Sequence, residues 1–187
     1  YHVRLLIENR KEILMDEPNK LKSMLVQYAS SHQNKINVLL HFVGIPTIIL
    51  GICIPLSWLK FNVVDISFTP AHIILLSLFL FYWTLDAIFA AVFLVLSFFI
   101  NELAIFLGSS ANAVTIASIA FFGGYILQFI GHAIEKSVPV LVKHPIQANI
   151  AAPFFVVVEV FGFLGLRKEL FHEINLLIEQ YEKKDSD

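Results

Sequence analysis

Four of the seven histidines, His32, His41, His132 and His144, stand in polar clusters at the borders of apolar runs. Asn34, Asn37, His41 and Gly44 follow at steps of three and four residues, so a helix would carry them on one face. His32 would fall on the opposite face of an unbroken helix, which predicts a helix that starts after it. Gln128, His132 and Glu135 make a second stripe, and Gly124 and Gly131 beside it would let another helix approach closely. Lys143, His144, Pro145 and Gln147 form a third cluster. Imidazoles converging at the border between water and lipid could bind a transition metal, with iron(II) and zinc best suited to nitrogen and oxygen donors. A single histidine at the end of a membrane helix is as often an interfacial anchor, so the metal reading rests on the set. His2, His72 and His172 lack polar companions on a common stripe and read as bland.

The elements that must position these residues are membrane helices. Hydrophobic residues make up 57% of the 187, charged residues 15%, and the mean hydropathy is +0.75, more apolar surface than a soluble domain of this size could bury. The fold class expected is all-α: a polytopic helical bundle in one membrane domain. Residues 1–35 form an amphipathic region broken near Pro18, 36–166 the bundle, and 167–187 a polar tail. Spans are expected over Ile36–Trp58, from Ala71 to Tyr82–Trp83, over Ala87–Leu107, and from Val114 to about Ile130, with Asp86 as the hairpin residue of the middle pair. A fifth, shorter segment, Ile150–Leu166, contains Pro153 and Glu159 and is expected to be re-entrant or interfacial. Six of the thirteen lysines and arginines precede the first span, which predicts a cytoplasmic N-terminus and puts all three histidine clusters at the cytoplasmic face. A net charge of -2 without a basic run argues against nucleic acid as a partner, and Cys53 reads as a small buried hydrophobe. Nothing at the N-terminus reads as a cleaved signal peptide.

The strings YASSHQNKINVLLHFVGIP (Tyr28 to Pro46) and LQFIGHAIEKSVPVLVKHPIQANIAAPFF (Leu127 to Phe155) resemble the two signature blocks of a membrane family, the 2-hydroxy fatty acid dioxygenases of fungi and their bacterial, plant and protist relatives. The positions that carry the resemblance are His32, Asn37, His41, Gly44 and Pro46, then Gln128, Gly131, His132, Glu135, Pro139, Pro145 and Gln147, and members vary at the position of His144. The resemblance runs from about Tyr28 to Phe161. It implies an Fe(2+)-dependent alpha-oxidation in which a 2-hydroxy fatty acid and dioxygen give a fatty acid one carbon shorter and carbon dioxide, in a bacterial inner membrane or the endoplasmic reticulum. His32, His41, His132 and His144 would be the metal ligands, and Asn37 and Glu135 the catalytic residues, Glu135 orienting a ligand or taking the hydroxyl proton. Lys136 and Lys143 could steer the anionic head, or serve only as topology signals. Two other classes stay open: another metal or haem membrane protein, and a scaffold or transporter whose polar stripes bind helices together.

Overall fold

The computed structural model of the protein describes residues 20–29, 32, 34–64, 66–137, 142 and 145–186. Its elements are α1 (Lys20–Ala29), α2 (Lys35–Leu56), a hairpin of β1 (Phe61–Val63) and β2 (Ile66–Phe68), α3 (Pro70–Trp83), α4 (Ala87–Gly108), α5 (Ala113–Glu135), α6 (Pro145–Phe163) and α7 (Lys168–Ser186). The all-α membrane class holds, with four helices, α2, α4, α5 and α6, long and apolar enough to cross a bilayer. The chain divides into two compact units, Gln33–Val160 and the pair of segments Tyr1–His32 and Phe161–Asp187.

In the larger unit, α2 and α5 pack antiparallel along a seam of small residues. Asn37 meets Gly131, Gly44 meets Gly124, and Gly51 meets Ala117, so each seven-residue advance on one helix matches a seven-residue retreat on the other. That repeat keeps one stripe of each helix against its partner over the whole contact. The backbones come too close for side chains: a Cβ on Gly124 would stand 2.7 Å from the carbonyl oxygen of Gly44, and one on Gly51 would stand 2.6 Å from the nitrogen of Phe121. Lipid tails are as apolar as leucine, so close packing of this kind, not apolar burial, holds membrane helices together. The seam brings the start of α2 to the end of α5. At the other end of α2, the Trp58 indole donates to the carbonyl of Gly108, the last residue of α4.

Asp86 caps α4, its carboxylate accepting from the backbone N–H groups of Ile88 and Phe89 at 2.9 and 3.0 Å, which makes the expected hairpin residue a helix cap. The second apolar segment ends at Trp83 as expected, a helix of 14 residues, about 21 Å, shorter than the roughly 30 Å hydrocarbon core. One length differs from expectation. The fifth forms a 19-residue helix because it begins at Pro145, whose fixed φ and missing N–H suit a first helical turn, and so takes in Gln147 and Asn149. The segment after α2, expected as a loop, pairs as a short antiparallel hairpin with Phe61 opposite Phe68. Tyr82, fully buried at the end of α3, donates its hydroxyl to the carbonyl of Ile150 at 2.5 Å and meets Phe93 edge to face and Phe154 at a tilt. Tyr82→Phe leaves the aromatic contacts and removes the hydrogen bond to the Ile150 carbonyl. Thermal unfolding in detergent should show a loss of about 0.5–1.5 kcal/mol.

In the smaller unit, α1 buries Leu21, Leu25 and Val26, and Lys22 pairs with Glu173 of α7. The turn between α6 and α7 uses positive φ at Gly165 and Arg167. His2 and the expected break at Pro18 lie outside the described residues.

Candidate metal centre

The end of the α2–α5 seam is polar, and its hydrogen bonds fix nearly every side chain in it. Asn34 caps α2, its side-chain oxygen accepting from the Ile36 N–H at 2.9 Å. The helix therefore begins after His32, as the opposed faces of His32 and His41 require. Glu135, the last residue of α5, receives the Asn34 backbone N–H at 3.0 Å on one carboxylate oxygen and the Asn37 side-chain amide on the other. A carboxylate at the positive end of α2 is favoured by the helix dipole and binds the two helices at their meeting point.

His41, one turn into α2, sets its Nδ1 2.9 Å from the carbonyl of Asn37. A carbonyl only accepts, so Nδ1 carries the proton and Nε2 carries the lone pair. The ring meets that of His132 edge to face, with centroids 4.9 Å apart and an angle of 84° between planes. His132 comes from the last full turn of α5. Lys136 takes up the left-handed conformation just beyond it (φ 56°), and this returns the Ser137 N–H to the His132 carbonyl at 3.0 Å and the Ser137 hydroxyl to His132 Nδ1 at 2.9 Å. Both rings are only 6% exposed, and Asn37 is fully buried. The side-chain oxygen of Asn37 has no hydrogen-bond partner among the described residues and faces Gly131 across the seam.

His32, in the smaller unit, is buried and repeats the arrangement of His41: Nδ1 lies 3.1 Å from the carbonyl of Tyr28, four residues earlier, and the Tyr28 ring stacks on the imidazole at 4.0 Å. Its lone pair is therefore also on Nε2. Gln128 is buried beside the seam, its amide 3.5 Å from the Leu40 carbonyl. His144 and Lys143 lie outside the described residues. His72 is engaged at the start of α3, where Nδ1 accepts from the Thr69 N–H at 3.1 Å and Nε2 lies 3.1 Å from the Asn101 amide. His172 is exposed on α7.

Of the expected set, the structure gathers Asn37, His41, His132 and Glu135 in one unit. Sequence reasoning missed Ser137, because a serine two residues past a helix end meets a histidine only if the intervening residue adopts positive φ, and Lys136 carries no sign of that. Donors tied at Nδ1 with the lone pair on Nε2 are what a metal-ligating histidine needs, since the tied nitrogen fixes the ring's direction and raises its basicity. The donor chemistry therefore fits a transition metal. Ser137→Ala should leave the fold intact and lower metal affinity by about 10–100-fold, read by competition with a chelator.

A family model described as 2-hydroxy-palmitic acid dioxygenase Mpo1-like matches residues 19–164. The 2-hydroxy-palmitic acid dioxygenase MPO1 of Saccharomyces cerevisiae is 29% identical over 163 residues, an alignment that covers 83% of this chain and 90% of that one. No solved structure matches the chain significantly.

Proposed function

The chain belongs to the Mpo1-like family, and from that membership we propose that it is an iron(II)-dependent dioxygenase that shortens long-chain 2-hydroxy fatty acids by one carbon. The observation that carries the reading is the pair of buried imidazoles at the α2–α5 seam, with the His41 lone pair fixed on Nε2 by the Asn37 carbonyl. The ligands we assign to the iron are His41 and His132 of the larger unit, joined by His32. Chain connectivity supports His32 as the third ligand: Asn34, anchored to Glu135, follows it by two residues, a span of at most about 7 Å. His144 is the proposed fourth. Ferrous iron held by imidazoles with open positions would supply the activation of dioxygen.

The protein's own residues would do the rest. Asn37, hydrogen-bonded to Glu135 and packed against Gly131, would hold the first turn of α2, and with it His41, in position for the substrate. Both carboxylate oxygens of Glu135 accept hydrogen bonds from α2, which supports a role in orienting Asn37 and, through the Asn37 backbone, His41, and its free lone pairs would leave it able to take the hydroxyl proton. Ser137 aims His132 in the same way. Lys136, exposed just past α5, is placed to attract the carboxylate head. The lysines and arginines ahead of α2 support a cytoplasmic location for this end of the bundle, in a bacterial inner membrane or the endoplasmic reticulum.

The reaction balances without an added reductant. A 2-hydroxy acid and dioxygen give the shorter acid, carbon dioxide and water; carbons 1 and 2 together lose the four electrons that dioxygen gains. Incubating the iron-loaded protein with 2-hydroxyhexadecanoic acid and no reductant should yield pentadecanoic acid with consumption of dioxygen in equal amount. Hexadecanoic acid, which keeps the tail and lacks the 2-hydroxyl, should inhibit without turning over. Absence of pentadecanoic acid under these conditions would overturn the proposal and leave the polar seam as helix glue.

A further inference from the structure

Resting on the dioxygenase reading, we infer that the far half of the α2–α5 valley seats the methyl end of the acyl chain and sets the chain length the enzyme prefers. A groove of about 400 Å³ opens there between the two helices, lined among others by Ile52, Pro55, Trp58, Val114, Ser118 and Phe121. Its position follows from helix geometry. Ile52 and Pro55 come eleven and fourteen residues after His41, and Phe121, Ser118 and Val114 come eleven, fourteen and eighteen residues before His132. At about 100° per residue, all five return to within about 40° of the face that carries the histidine. The two imidazoles and the groove therefore open on the same side of the helix pair.

Length agrees with direction. At about 1.5 Å per residue, these lining residues lie roughly 16 to 27 Å along the helices from the histidines. Staggered carbon–carbon bonds of about 1.5 Å advance a saturated chain by about 1.3 Å each, so a sixteen-carbon acid held by its head spans about 19 Å and ends in the groove. A twelve-carbon acid spans about 14 Å and ends short of it.

Between the two lies Tyr125, seven residues before His132 and on the same face, whose hydroxyl donates to Asn149 of α6 at 2.8 Å. Asn149 in turn donates to the Pro145 carbonyl, which ties the first turn of α6 to Tyr125, between the head site and the groove. Ser118 uses its hydroxyl on the Val114 carbonyl at 2.8 Å and turns no unpaired polar group to the groove. A saturated methyl end is the occupant such a lining accepts.

The test uses a sixteen-carbon 2-hydroxy acid with a photoreactive diazirine at its terminal carbon, added to the full-length wild-type protein. The expected result is labelling within Ile52–Trp58 and Val114–Phe122 that excess 2-hydroxyhexadecanoic acid suppresses, while a diazirine at carbon 6 labels near Tyr125. Scattered labelling of lipid-facing helices that the free acid does not suppress would overturn the inference and assign the groove to bilayer lipid. In turnover assays, Ser118→Trp should lower the sixteen- to twelve-carbon ratio of kcat/KM by about tenfold, because the displaced methylenes lose their contacts. An unchanged ratio in the folded variant would also count against it. Suppressible groove labelling without turnover would sink the dioxygenase reading and keep the groove; turnover without groove labelling would do the reverse.

Discussion

Replacing His41 or His132 with alanine is expected to abolish iron binding and oxygen consumption together. Each variant removes one imidazole from a buried set and leaves its neighbour without the edge-to-face contact at 4.9 Å. Loss of a donor from a site of three or four nitrogens should weaken binding by well over the about 10–100-fold expected for an orienting partner such as Ser137. His72→Ala and His172→Ala are the controls. His72 is committed to Thr69 and Asn101 and His172 is exposed on α7, so both variants should keep iron and turnover. The measurement is iron per protein by elemental analysis on anaerobically purified samples, beside an oxygen-electrode assay. Full iron occupancy in His132→Ala would remove that residue from the ligand set.

Gly124→Leu is expected to prevent folding of the bundle, whereas Gly123→Leu should be nearly silent. The two glycines are neighbours in sequence and opposites in structure. A side chain at 124 meets backbone, 2.7 Å from the Gly44 oxygen and 3.0 Å from the Ile48 nitrogen, and backbone cannot swing aside as a flexible side chain can. One at 123 meets nothing within 4 Å. Forcing the helices apart would cost about 3 kcal/mol or more and separate His41 from His132 at the same time. Size-exclusion chromatography in detergent should show aggregation of Gly124→Leu and a wild-type profile for Gly123→Leu. Equal behaviour of the two would mean that the seam does not hold the bundle.

The stripes were legible because they follow from helical period and residue type alone. Asn34, Asn37, His41 and Gly44 share a face at any helix start after His32, and Gly124 and Gly131 announce close approach whatever the partner. Asp86 was legible as an interruption that has to end a helix. What was not legible depends on where elements begin and on what the chain does between them. The extra turn of α6 was hidden because Gln147 and Asn149 read as loop when the helix-starting role of Pro145 is ignored. Ser137 needed the left-handed residue at 136. That Asn37 and Glu135 meet was not legible either: their hydrogen bond joins the start of α2 to the end of α5, and only the antiparallel seam brings those ends together.

The most direct test of the account is an anaerobic titration of metal-free protein with iron(II), following bound iron and, after admission of oxygen, the rate of conversion of 2-hydroxyhexadecanoic acid. Both should rise together and saturate at about one equivalent of iron per chain, with zinc occupying the site without supporting turnover. Conversion that does not depend on iron, or a protein that binds none, would contradict it.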